Sequence, residues 1–269
     1  MSTARVDLTD PESFVRARSE DELRLRQELA ACYRLIAHFG MTDLIFNHIS
    51  VRLPNPDGQF LINPYGLMYE EITASNLVKI DGAGVLVEPS DFGVNPAGFV
   101  IHSAIHAARP DAHCVLHTHT RAGCAVAAQA HGLLPLNQMS LEFYDDVAYH
   151  DYEGIALDTA ERERLVADLG AKSVMILRNH GLLTVGATPK QAFLRMFYLE
   201  RACEIQVSAM TGDAPVTFPS EEVCILTRQQ FATPDRPTSD SAFADPDAVD
   251  LTWAALLRML DRIDPTYKA

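Results

Sequence analysis

Ala112-His113-Cys114-Val115-Leu116-His117-Thr118-His119-Thr120 decides how this chain is read. Its first half is a short apolar run of strand-forming residues. Residues two apart on a strand project from one face, so His117 and His119 point the same way. A second apolar run, Ser173-Val174-Met175-Ile176-Leu177-Arg178-Asn179-His180-Gly181, delivers another histidine at its end, followed by a glycine expected to let the backbone turn tightly. Three neutral imidazoles with one position left open suit a catalytic divalent metal. His117, His119 and His180 are therefore the expected ligands of a divalent metal.

Outward from these runs, Glu20 to Phe39 shows helical spacing, with Leu25, Leu29, Cys32, Leu35 and Ile36 as its apolar stripe and Gly40 as its stop. Residues 49–53 and 59–62 read as strands around a Pro-Asp-Gly turn, and residues 77–81 and 85–88 as a second hairpin. Asn95-Pro96 opens a helix that runs to Arg109, where Pro110 ends it. His102 and His106 lie four apart on one face of that helix, and structural or supporting roles are expected for them. Helices are predicted from Arg121 to Ala130, after Asp158 with Glu161, and after Thr188 with Gln191, with a strand running into a turn over 147–154 and strands at 173–178 and 182–185. Strands in hairpins alternating with helices imply an α/β fold with an antiparallel-rich sheet covered by helices.

Three regions follow: a polar arm over 1–19, a main domain over 20–212, and a tail over 213–269. The tail ends in a helix, residues 249–263, whose Trp253, Leu256, Leu257 and Leu260 share a face. That stripe is expected to pack on a neighbouring subunit, with its own core as the alternative.

With 269 residues, 48% of them hydrophobic, the chain can bury a sizeable core. No run of eighteen apolar residues occurs and the first residues lack an apolar signal core, so a cytoplasmic protein is expected. Five cysteines without paired short spacing read as reduced thiols. A net charge of −14 argues against nucleic acid and anionic membranes as partners and leaves a small molecule or another protein.

A fuller pattern surrounds the His-x-His pair: Asn47-His48-Ile49-Ser50-Val51-Arg52, Asn63-Pro64-Tyr65-Gly66, His102-Ser103-Ala104-Ile105-His106-Ala107-Ala108-Arg109-Pro110-Asp111 and Arg178-Asn179-His180-Gly181-Leu182-Leu183. In this order and spacing the chain resembles the class II aldolase and adducin superfamily. The resemblance implies a three-layer α/β/α sandwich with a mainly antiparallel central sheet. It also implies a divalent metal on His117, His119 and His180, with zinc the first expectation and manganese or iron the alternatives, and a homo-oligomer, with a tetramer favoured. The aldolases carry a glutamate four residues before the position of His102, within a Pro-Ser-Ser-Glu type motif. Here that position is Gly98, and the two serines that help bind phosphate fall on Pro96 and Ala97.

A sugar-phosphate reaction is therefore not expected. The acid/base role is assigned to His150, His48 or Tyr149, with Glu142 a further candidate; His150 falls near a tyrosine position of the aldolases. Asn47, Arg52, Gly66 and Gly98 are the expected substrate contacts; Arg52, Arg121 and Arg178 are the candidates for pairing a substrate carboxylate, with a surface or structural ion pair as the alternative for each. The expected function is a metal-dependent lyase, aldolase-like or a decarboxylase, for a small non-phosphorylated hydroxy-carbonyl compound or carboxylic acid. The alternatives are a non-heme iron oxygenase on the same histidines and a non-catalytic interaction module like the adducin head. The acidic chain lacks the basic, lysine-rich tail of adducin, which argues against an actin-binding role.

Overall fold

The computed structural model describes residues 18–55, 57–154, 160–212, 214–232 and 246–269. The expected arm lies almost wholly outside them. Helix α1 (Glu20–His38) starts where Ser19 accepts a hydrogen bond from the Glu22 backbone and three acidic residues fill the first turn. It ends at Gly40, whose φ of +68° closes the helix. Strands β1 (His48–Arg52), β2 (Phe60–Ile62) and β3 (Val78–Ile80) follow, then α2 (Pro96–Ala108), β4 (Cys114–Thr118), α3 (Arg121–Ala127) and α4 (Gln138–Glu142). The chain continues through β5 (Val147–His150), α5 (Glu161–Leu169), β6 (Val174–Leu177), β7 (Gly181–Gly186), α6 (Pro189–Ala209), α7 (Glu221–Ala232) and α8 (Pro246–Ile263).

The strands form one sheet in the order β3-β2-β1-β4-β7-β6-β5. Only β5 and β6 run parallel, joined by the crossover through α5; the other neighbours are antiparallel. Alternation along the strands feeds two cores. Ile49, Val51, Cys114, Leu116 and Leu182 face α1, α6 and α8, while Val115, Met175, Leu183 and Val185 face α2 and α5. The expected α/β/α sandwich is the observed fold.

Three expectations fail. The second hairpin is reduced to one bridge, Ile80 to Leu86, because Glu88 turns inward to Arg26 instead of continuing a strand. Helices α4 and α7 went unpredicted. The first is nucleated by the Asn137 side chain accepting from the Met139 and Ser140 backbones, and the second lies in a segment whose composition reads as linker. The terminal helix packs on its own core: Trp253, Leu260 and Tyr267 are buried, and the Trp253 ring lies 6.0 Å from that of Phe193. The chain end is latched by Ala74 N–H to Tyr267 O at 2.9 Å and Ser75 N–H to Ala269 O at 2.8 Å, so an intramolecular seat was available. The Asp158 cap lies outside the described residues, although α5 begins at Glu161. Among the described residues no helix is long and apolar enough to cross a membrane.

Candidate metal centre and its buried histidine chain

The sheet register collects the site at one end. His48 pairs directly with His117 across β1 and β4, Thr118 pairs with Leu182 across β4 and β7, and Leu177 with Gly181 across β6 and β7. His180 therefore arrives beside the pair supplied by β4. Nε2 of His117 lies 2.8 Å from Nε2 of His119, which lies 2.9 Å from Nε2 of His180. All three ligand atoms fall within 4.8 Å of one another.

The outer partners orient these rings. Nδ1 of His117 donates to the Leu182 carbonyl at 2.8 Å, and Nδ1 of His119 donates to Asp43 Oδ2 at 3.0 Å. In each the remaining Nε2 carries its lone pair toward the cluster, the arrangement of metal-binding imidazoles held by a carbonyl or carboxylate. Burial and the neighbouring imidazoles push His117 well below its ordinary pKa, and burial holds His180 at about 4. His117 and His180 are thus neutral nitrogen donors at pH 7, and the set of three imidazoles fits a divalent cation.

Gly181 works differently from the expectation. Its φ is not positive; Asn179, at φ +56°, makes the turn, as asparagine tolerates. A Cβ on Gly181 would sit 2.3 Å from the Thr118 carbonyl oxygen and 3.2 Å from His119, so this position needs glycine for close approach of β7 to the metal strand.

The glutamate position is filled from elsewhere. A Cβ at Gly98 would lie 2.6 Å from Cδ2 and 3.0 Å from Nε2 of His48, whose ring packs between α2 and the His117 ring at 5.0 Å between centroids. Gly98 is thus the floor under an imidazole. Gly98→Ala is expected to cost about 1–3 kcal/mol by overpacking, and the cost should disappear in a His48→Ala background, as urea unfolding of the four proteins would show.

His48 heads a buried chain. Its Nδ1 lies 2.8 Å from His102 Nε2, His102 Nδ1 lies 2.6 Å from Ser50 Oγ, Ser50 Oγ lies 2.8 Å from His106 Nε2, and His106 Nδ1 lies 2.9 Å from the Ala112 carbonyl. The supporting role expected of His102 and His106 takes this form. Burial lowers the pKa of all three rings, that of His106 to about 3. Because the folded pKa is depressed, the unfolded chain binds more protons as pH falls below about 6.5. Stability is therefore expected in full above that pH and to be lost progressively toward pH 3; a lower urea midpoint at pH 5 than at pH 7.5, with a shallower fall in His106→Gln, checks this.

Of the other sequence candidates, Asn47 is fully buried and neither its Oδ1 nor its Nδ2 has a hydrogen-bond partner among the described residues. It precedes His48 at the site end of β1. The Gly66 loop follows β2 at the same end, since Ser50 pairs with Ile62. Arg52 stands at the opposite end of β1, roughly 13 Å along the strand from His48 at ~3.3 Å per residue, where it lines a surface pocket together with His113 and Glu28. The carboxylate contact expected of it is corrected: strand direction carries it away.

His150 and Tyr149 are also corrected. His150 is buried with Nδ1 on Asp168 at 2.7 Å and Nε2 3.4 Å from Glu161, so α5 takes both nitrogens. The Tyr149 hydroxyl accepts from the Leu133 backbone, its ring lies under Arg178 at 4.2 Å, and it packs on Gly132. Glu142 is buried near Arg195 and Arg228, where burial raises its pKa.

Asp43 and Tyr152 were missed. Tyr152, half-exposed, lies 6.3 Å from the His180 ring between centroids. Asp43 precedes Leu44, whose φ of +47° is costly for a branched side chain. Asp43→Ala is expected to weaken zinc affinity about 10–100-fold, the usual cost of losing an outer partner, as a chelator competition titration would measure.

An α/β/α sandwich that brings three imidazoles to one end of a mostly antiparallel sheet is the architecture of a metal-site scaffold of the aldolase type. The profile of the Class II Aldolase and Adducin N-terminal domain family matches residues 27–207, and the chain belongs to that family. Among solved structures it is similar to an aldolase II superfamily protein from Pseudomonas syringae (51% identity, TM-score 0.87, covering 95% of this chain and 99% of that one). It is also similar to an L-fuculose 1-phosphate aldolase from Glaciozyma antarctica (26% identity, TM-score 0.77, covering 99% and 97%). Alpha-adducin of Mus musculus is 42% identical over 271 residues, 98% of this chain but 36% of the adducin.

Proposed function

We propose that the protein is a metal-dependent carbon–carbon lyase, aldolase-like or a decarboxylase, for a small non-phosphorylated hydroxy-carbonyl compound or carboxylic acid. The observation that carries this reading is the convergence of three histidine Nε2 atoms at the end of the sheet where β1 also places a buried Asn47 amide without a hydrogen-bond partner among the described residues. His117, His119 and His180 would hold the ion, with zinc the proposed metal. When bound, it supplies a Lewis acid that stabilises charge developing on substrate oxygens as a bond to carbon breaks.

The chain's own groups do the rest. Asn47 offers a donor and an acceptor to a polar substrate, and filling them relieves the cost of leaving both unsatisfied. His48 is the proposed acid/base, standing over Gly98 where the family aldolases hold a carboxylate. Pro96, Ala97 and Gly98 bring no side-chain donor, which supports a substrate without phosphate. The half-exposed Tyr152, whose ring lies 6.3 Å from that of His180, is the proposed proton donor from the outer side. We further propose a cytoplasmic homotetramer; the five free thiols and the oligomeric habit of the family support it.

The likeness to alpha-adducin along nearly the whole chain favours a second reading, a non-catalytic interaction module. The test is NMR observation of cleavage or decarboxylation across a panel of hydroxy-carbonyl compounds and hydroxy acids, with and without phosphate, using zinc-loaded protein. Turnover of a non-phosphorylated member, lost in His119→Ala, is expected. Tight zinc binding with no turnover across the panel favours the module, and robust cleavage of fuculose 1-phosphate contradicts the substrate class.

A further inference from the structure

The chain that begins at His48 has a direction. The Ala112 carbonyl can only accept, so His106 Nδ1 carries a proton and its Nε2 faces Ser50 as an acceptor. The single hydroxyl proton of Ser50 goes to His106, so Ser50 Oγ accepts from His102 Nδ1. His102 Nε2 in turn accepts from His48 Nδ1. Every polar atom along this path is satisfied, and the series leaves one lone pair over, on His48 Nε2, which has no hydrogen-bond partner among the described residues. A buried polar chain is costly unless complete. This one is complete everywhere except where its first ring packs against His117 and Gly98.

We propose that Ser50, His102 and His106 are positioning residues that lock His48 in its Nδ1–H tautomer, so that Nε2 accepts a hydrogen bond from a hydroxyl of the substrate. The proposal rests on the reading of the site as one for small oxygenated ligands and narrows it. A hydroxy-carbonyl compound or hydroxy acid can donate to Nε2; a ligand carrying only carboxylates cannot.

The experiment is long-range proton–nitrogen NMR of the full chain labelled with 15N-histidine and loaded with one equivalent of zinc, the His48 signals being assigned by their loss in His48→Asn. His48 is expected with Nδ1 protonated and Nε2 bare. Glycolate, which carries a hydroxyl, should shift the Nε2 signal; oxalate, which carries none, should not. Ser50→Ala should mix the His48 tautomers and weaken glycolate binding about tenfold, the worth of one ordinary hydrogen bond, while zinc affinity stays unchanged. A protonated Nε2 in the wild type, an equal response to oxalate, a zinc-type coordination shift at His48, or an unchanged His48 in Ser50→Ala overturns the proposal. If Ser50→Ala does not fold, the wild-type tautomer and the glycolate–oxalate pair still decide it. Absence of turnover would defeat the lyase reading while leaving the tautomer assignment standing.

Discussion

Gly181→Ala is expected to lower stability by about 3 kcal/mol, the upper end for forcing one carbon into packed space, and to impair zinc binding in the same step. The added Cβ would sit 2.3 Å from the Thr118 carbonyl oxygen, and backbone cannot rotate aside as a side chain can. Relief requires β4 and β7 to separate where Thr118 pairs with Leu182, whose carbonyl holds His117 Nδ1. The strand that orients one ligand and the turn that delivers another would move together. Urea unfolding with a parallel zinc titration checks both effects; a loss under about 0.5 kcal/mol, the range of a neutral surface change, with zinc bound as in the wild type, would mean that this close approach is not needed.

Arg26→Met is expected to cost about 3–5 kcal/mol, as removal of one partner from a buried ion pair does. Arg26 is fully buried; its Nε donates to Glu22 at 3.0 Å, Nη2 to Glu88 at 3.0 Å and Nη1 to the Leu77 carbonyl at 2.9 Å. Methionine keeps much of the volume, so the loss isolates the charge and its hydrogen bonds. Lys79, 2.8 Å from Glu22 and 3.5 Å from Glu88, still faces both carboxylates and places the effect toward the lower end of that range. The guanidinium joins α1 to the segment around β3, far along the sheet from the three histidines. Zinc affinity should therefore stay near the wild-type value while the urea midpoint falls.

The histidines at 117, 119 and 180 were legible because each ends an apolar run, and strand alternation fixes the direction of the first two. The sheet they belong to was legible for the same reason, since hairpins and helices alternate with clear turn and cap residues. Asp43 was not, because nothing in Met41-Thr42-Asp43-Leu44 marks the aspartate as the partner of a ring 76 residues away. Gly98 read as a vacancy where a carboxylate had been. A side chain from β1, His48, fills it, and no local pattern links positions 48 and 98. His150 and Tyr149 were placed near the site by sequence position, but α5 and Arg178 occupy their polar atoms, which only packing reveals. The terminal helix showed a stripe that had to bury itself; which surface it met depended on the groove left by α1 and α6.

The most direct measurement is X-ray absorption at the zinc edge on the full chain loaded with one equivalent of the metal. A first shell dominated by imidazole nitrogens at about 2.0 Å, reduced by one nitrogen in His180→Ala, is the predicted result. Zinc that does not bind, or that binds through a shell of sulfur or carboxylate oxygen unchanged by that substitution, would contradict the three-histidine centre.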